Sequence, residues 1–275
     1  MNHGLQEIFE AAKVSLSLAF LIYASWSDYK TREVSNRVWL LFAPLALLLS
    51  IAELLLYEPS ILPLFGLSFG ITAIIAFVLF YSGGFGGADS KALMCIALAL
   101  PFSPKTLFAP VLAAGVSPLS QNLFPLTIFS NAVLFAAATG IYMLLRNIIW
   151  HKKTGKKTFE GTLATESFGK KIIVLITGYK VSVAKLKEKW HIYPMEDIEE
   201  ENGDNSVKRK LVVVPRDEGR DEIVARLSKA VDAGKIDAYV WATPGLPMLI
   251  FITIGLIIAL LLGDIVWMLV SFVLG

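Results

Sequence analysis

Residues 61–89 read ILPLFGLSFGITAIIAFVLFYSGGFGGAD. The first part, Ile61–Tyr81, carries no charged side chain and is close to the roughly 20 residues that cross a bilayer as a helix. The second part, Ser82-Gly83-Gly84-Phe85-Gly86-Gly87-Ala88-Asp89, crowds four glycines against a carboxylate. Glycine weakens a helix interior by about 1 kcal/mol relative to alanine, so this part predicts a break in the helix or a mobile segment. A span followed by a glycine break and a new span is the unit of a polytopic membrane protein.

The rest of the chain repeats that unit. Of its 275 residues 55% are hydrophobic, gathered into long runs with short polar breaks. Further spans are predicted over Leu5–Trp26, Val38–Tyr57, Lys91–Pro101, Leu123–Leu145 and Leu246–Val270, which with Ile61–Tyr81 makes about six. The first run opens with Glu7 and Glu10 and closes on Asp28-Tyr29-Lys30, which reads as a permanent helix and not a cleaved secretory signal. Between His151 and Val240 lie 18 of the 25 basic and 15 of the 23 acidic side chains, so this stretch reads as a soluble domain. The expected organisation is a membrane domain over 1–150, a small α+β domain over 151–240 and a last membrane helix over 241–275.

Within the polar domain, Lys171–Thr177, Leu211–Val214 and Ile236–Trp241 read as extended segments and Arg220–Val231 as a helix. The acidic run Glu196–Asp204 reads as a solvated loop, with a second reading as an acceptor for a basic partner. Thr106–Leu119, interrupted by Pro110, Gly115 and Pro118, reads as a re-entrant or surface extension.

Cations set the orientation. Lys30, Arg32 and Arg37 sit in the first loop and Lys91 opens the fourth span, whereas the loop holding Glu53 and Glu58 has no positive charge. The positive-inside rule puts the first and third loops, and the polar domain, in the cytoplasm.

Outside the polar domain only eight acidic residues remain: Glu7, Glu10, Asp28, Glu33, Glu53, Glu58, Asp89 and Asp264. On this topology Asp28 closes the first span and Asp89 opens the fourth, both at the cytoplasmic boundary, while Glu53, Glu58 and Asp264 read as outer-face residues. Carboxylates beside hydrocarbon are costly unless paired or functional. Two close together tend to share one proton, so one can accept a proton from water while the other polarises a carbonyl. His3, His151 and His191 are scattered and Cys95 stands alone in an apolar run, so no metal site, cofactor or disulfide is expected.

Two stretches carry a family resemblance. Asp28-Tyr29-Lys30-Thr31-Arg32-Glu33-Val34-Ser35-Asn36 resembles the first aspartate loop of the type IV prepilin peptidases, and Gly86-Gly87-Ala88-Asp89-Ser90-Lys91 resembles their second, Gly-x-Gly-Asp-x-Lys. Ala88 stands where the family writes glycine and Ser35 where it often writes proline. The cysteine-rich methylating module of the bacterial members is missing, so the resemblance is to the archaeal, peptidase-only branch that processes preflagellins.

The resemblance implies an aspartyl endopeptidase with Asp28 and Asp89 as the catalytic pair. It implies Gly86, Gly87, Asn36 and Lys91 as substrate-binding or loop-supporting residues, and precursors with a short basic leader and a hydrophobic helix as partners. The bilayer is the other expected partner, and no nucleic acid is. A proton-coupled transporter and a presenilin-like protease are the competing readings, since both also place carboxylates in membrane helices.

Overall fold

A computed structural model describes residues 3–83, 85–104, 108, 110–200, 207–213 and 219–274. Gly84, part of Thr106–Leu119, the end of the acidic run from Glu201, and Val214 lie outside the described residues. The chain is mostly helical and divides into two compact units, Met1–Ala136 with Pro247–Gly275, and Ala137–Leu246.

The first unit holds α1 (His3–Thr31), α2 (Asn36–Tyr57), α3 (Leu62–Tyr81), α4 (Gly87–Ala99), the short α5 (Pro118–Asn122), the start of α6 (Phe124–Thr154), α10 (Met248–Leu261) and α11 (Ile265–Leu274). Among the described residues α1, α2, α3 and α6 are each long and apolar enough to cross a membrane, and α10 with α11, bent by 65°, make a fifth if counted as one span. The bend falls at Gly263, in the left-handed region at φ +84°, where its backbone meets Gly115 too closely for any side chain.

α4 is different. Its 13 residues rise only about 20 Å, short of the roughly 30 Å hydrocarbon thickness. It is largely buried, with Ala92, Leu93, Ile96, Ala97 and Ala99 excluded from solvent. Small residues on this helix let α2 and α3 approach closely. Their serines then satisfy carbonyls at and beyond its C-terminal end, which have no intrahelical partner: Ser50 Oγ donates to Ala99 O and Ser68 Oγ to Pro101 O, both at 3.1 Å. Gly255 on α10 serves a similar end, because a Cβ there would stand 2.4 Å from Ile128 O on α6.

The second unit begins inside α6. Gly140, Met143 and Asn147 lie on one stripe of that helix, and Met143 joins the domain core. α7 (Phe168–Thr177), β1 (Tyr179–Ser182), α8 (Val183–Glu188), β2 (Ile192–Pro194), β3 (Glu196–Glu200), β4 (Val207–Leu211), α9 (Arg220–Asp232) and β5 (Tyr239–Pro244) follow. β1, β5 and β2 form an antiparallel sheet in that order, and β3 pairs with β4. Val181, Leu186, Ile192, Leu227 and Val240 are the centre of its core.

Three expectations are corrected here. Lys171–Thr177 is helical, not extended: Ser167 caps α7 by accepting from the Lys170 amide, and Phe168, Ile172 and Ile176 recur at a spacing of four. The described start of the acidic run, Glu196–Glu200, is a strand and not a solvated loop. Its partner β4 is the basic Val-Lys-Arg-Lys-Leu, which sets Asp197 opposite Lys210 and Glu199 opposite Lys208. Glu196 is wholly buried, taking Lys180 and Arg209 on its carboxylate and the Trp241 amide at 2.7 Å. In this described part Glu196, Asp197 and Glu199 are engaged by the chain's own cations. The segment expected over Ile236–Trp241 starts as a strand only at Tyr239, because Asp237 turns out to Lys156.

Candidate active site

α1 ends just beyond Asp28. The Asp28 carbonyl accepts from the Arg32 amide at 2.9 Å, and Arg32 then takes a left-handed φ of +58° that stops the helix. Ser27 Oγ and Thr31 Oγ1 donate to Glu33 O at 2.8 and 3.0 Å and fold the loop back against the helix. Ser35 then caps α2 through the Arg37 amide. Each hydroxyl lies within the stretch that reads DYKTREVSN or just before it, so the loop is built by its own short-range bonds. Lys30 is turned aside over the Trp26 ring, 4.5 Å from its centroid.

Asp89 is the third residue of α4. Its Oδ2 accepts the Gly86 amide at 3.0 Å, which turns the carboxylate back over the helix N-terminus, where the free amides and the dipole favour negative charge. Gly86 is extended at φ −72°, and a Cβ on it would stand 3.1 Å from Asp89 Oδ2. Gly87 is less constrained, its nearest neighbour being Phe80 at 3.6 Å. Gly83 sits at φ +77° and makes the turn out of α3.

Asp28 and Asp89 are both half-buried, at the same end of the bundle. Asn36 and Lys91 come together as well, with Lys91 Nζ donating to Asn36 Oδ1 at 2.7 Å. The four polar residues named from sequence thus belong to one end of α1, α2 and α4.

Sequence reasoning missed two features. Phe85, between the glycines, is buried and meets Phe129 edge-on at 5.5 Å, so it anchors the glycine segment to α6. An aromatic residue inside a glycine run is the signal that could have found it. The other is Lys13, which forms a buried ion pair with Glu53. Glu53 and Asp264 are themselves buried, and Asp264 accepts from Ser117 Oγ at 2.7 Å and caps α11 through the Trp267 amide.

Lys13 and Glu53, with Glu10, line a cavity of about 300 Å³. It is bounded by the start of α1 and the ends of α2 and α4, the opposite helix ends from Asp28 and Asp89, so it is separate from the aspartate site. Among the described residues no group of three or more His, Cys, Asp or Glu is arranged to hold a metal ion.

Comparison with known proteins gives concordant matches. The profile described as "Type IV leader peptidase family" matches residues 15–144, the region holding both aspartates. The profile "Archaeal Peptidase A24 C-terminus Type II" matches residues 170–265. The chain is 29% identical to a preflagellin peptidase of Methanococcus voltae, over 91% of this chain and 94% of that one. It is 26% identical to a preflagellin peptidase of Methanococcus maripaludis, over 89% and 92%. A preflagellin peptidase of Methanocaldococcus jannaschii is 22% identical over 89% and 91%. With both profiles in order along the chain and near full-length similarity to these peptidases, the chain belongs to the type IV leader peptidase family.

Proposed function

We propose that this chain is a membrane-embedded aspartyl endopeptidase that removes the short basic leader from preflagellin-like precursors, with Asp28 and Asp89 as its catalytic pair. The observation that supports the reading is that two half-buried carboxylates from separate helices, Asp28 near the end of α1 and Asp89 at the start of α4, lie at one end of the same bundle. One carboxylate accepts a proton from the attacking water and the other, protonated, hydrogen-bonds the scissile carbonyl. The Gly86 amide holds Oδ2 of Asp89 and leaves Oδ1 to face the substrate. Asn36 and Lys91 support the two aspartate loops.

The reading of orientation goes with it. Counting α4 as a short crossing and α10 with α11 as one, the chain crosses six times, residues 1–150 and 241–275 forming the membrane part. The cations at positions 30, 32, 37 and 91 put the aspartates at the cytoplasmic face, and residues 151–240 lie on the same side. A precursor whose hydrophobic helix stays in the bilayer would then present its leader junction to Asp28 and Asp89. The family matches favour neither the transporter nor the presenilin-like reading.

The test is incubation of the purified chain with preflagellin and prepilin precursors, read as a mass loss equal to the leader. Asp28→Asn and Asp89→Asn are each expected to abolish it with folding retained, because the amide keeps the shape but cannot exchange a proton. Full cleavage by either variant removes that residue from the mechanism. Cleavage lost on adding a chelator would point instead to a metal.

A further inference from the structure

α7 is mounted the wrong way out for a domain surrounded by water. Its cations lie off the outward apolar face and are tied back to the chain: Lys170 Nζ pairs with Glu166 at 2.9 Å, and Lys171 Nζ donates to Ala164 O at 2.5 Å. Val174, between them on the same side, is fully buried. The opposite face carries Phe168, Ile172, Ile173 and Ile176, of which Phe168 is 78% and Ile172 40% exposed. At 100° per residue these four fall within one sector, so the helix has a continuous apolar face that the protein covers only in part, Ile176 lying beside Gly140 of α6.

The place of α7 on α6 indicates what covers that face. The last turn of α7 lies across α6 between Gly140 and Asn147. Ile176 O is 3.4 Å from where a Cβ on Gly140 would stand, and Asn147 Nδ2 donates to Leu175 O at 2.8 Å and to Gly178 O at 2.7 Å. The first charged residue of α6 is Arg146, so this crossing is where the uncharged run of a membrane-length helix ends. Beside it Ile141 and Leu145 of α6 are also bare and apolar. One to two turns further, His151-Lys152-Lys153 is exposed, suited to anionic headgroups. The apolar face of α7 is therefore continuous with the lipid-facing surface of α6, at the depth where acyl chains give way to headgroups.

We propose that α7 is an interfacial helix lying in the membrane surface, with Phe168, Ile172, Ile173 and Ile176 inserted among the acyl chains. The polar domain is then peripheral to the bilayer and seated on it, instead of suspended in the aqueous phase. The lysines lie off this face because it meets hydrocarbon.

Spin labels on the full chain in nanodiscs containing anionic lipid test this. Ile172→Cys and Ile173→Cys would be made in a Cys95→Ala background, with Ile141→Cys on α6 as a lipid reference and Lys187→Cys on α8 as a water reference. The expected result is collision with dissolved oxygen several-fold above that with a water-soluble nickel chelate at 172 and 173, as at 141, and the reverse at 187. Nickel-dominated collision at 172 and 173 overturns the proposal, as does protection from both reagents, which would show a protein partner or a second copy on this face. A nickel-dominated label at 141 takes α6 out of the bilayer and the proposal with it.

Discussion

Lys91 Nζ donates to Asn36 Oδ1 at 2.7 Å, joining the N-terminal ends of α4 and α2. Lys91 lies two residues past Asp89, and Asn36 opens the helix that follows the Asp28 loop. The bond is a strut between the two aspartate segments, and both its residues are polar groups that do not reach either carboxylate through a direct hydrogen bond among those observed. Asn36→Ala and Lys91→Met are each expected to lower kcat by roughly ten-fold through misplacement of the aspartates. The double variant should fall no further than the single ones, since either change breaks the same strut. Cleavage kinetics check this alongside the melting temperature, which should shift little because Asn36 is exposed. Additive losses would mean that the two residues act separately.

Gly86 and Gly87 are expected to separate under substitution. Gly86 has a conformation open to alanine, at φ −72° and ψ 159°, but the new methyl would press on Asp89 Oδ2 from 3.1 Å. Gly87→Ala meets only ordinary contact at 3.6 Å, and alanine is the better helix former. Gly86→Ala should therefore cut turnover with stability unchanged, and Gly87→Ala should leave turnover near that of the parent. Equal losses at both positions would point to lost backbone mobility as the cause.

The Lys13–Glu53 pair is expected to matter to stability more than to cleavage. Removing one partner of a buried pair leaves the other charge without compensation, at a cost of about 3–5 kcal/mol, and water in the adjoining cavity should bring this toward the lower figure. Lys13→Met or Glu53→Leu alone should lower the melting temperature in detergent. The two together should recover most of it, with kcat per folded molecule unchanged throughout.

Glu166 should make the polar domain sensitive to acid. Its carboxylate accepts the Leu211 amide and the Lys170 ammonium, each at 2.9 Å, and these bonds, in that order of importance, hold it below its ordinary value of 4.5. A carboxyl group that is more acidic when folded binds fewer protons than the unfolded chain does. Its stabilisation is complete above the unfolded value and is lost as the pH falls through the folded one. The stability gap between the parent and Glu166→Gln should be full near pH 7 and close below about pH 4.5, as read by denaturant titration at each pH. A gap independent of pH would mean that the charge contributes nothing.

The long apolar helices, and the place of both aspartates at helix ends, were legible in the linear chain for a physical reason. An uncharged run of about 20 residues has few other stable placements, and a carboxylate at the edge of such a run needs a purpose. The loop around Asp28 was equally legible, since Ser27, Thr31 and Ser35 bond to backbone within a few positions of themselves.

Other features depended on residues far apart in the chain. Lys171–Thr177 is too short a β-branched run for periodicity to decide between strand and helix, and its bond from Asn147 and the burial of Val174 with Leu163 and Trp241 decided it. The acidic segment became a strand because Val207–Leu211 lay opposite with the complementary charge. Glu53 is buried because Lys13 lies 40 positions earlier on a neighbouring helix, a distance over which no local pattern speaks. The sequence by itself determined where hydrocarbon could cover the backbone and which two carboxylates stood out against it. Tertiary packing alone decided which charges were neutralised inside, how short α4 could be, and that α7 turned its apolar face outward, because each depends on a partner brought near only when the helices close on one another.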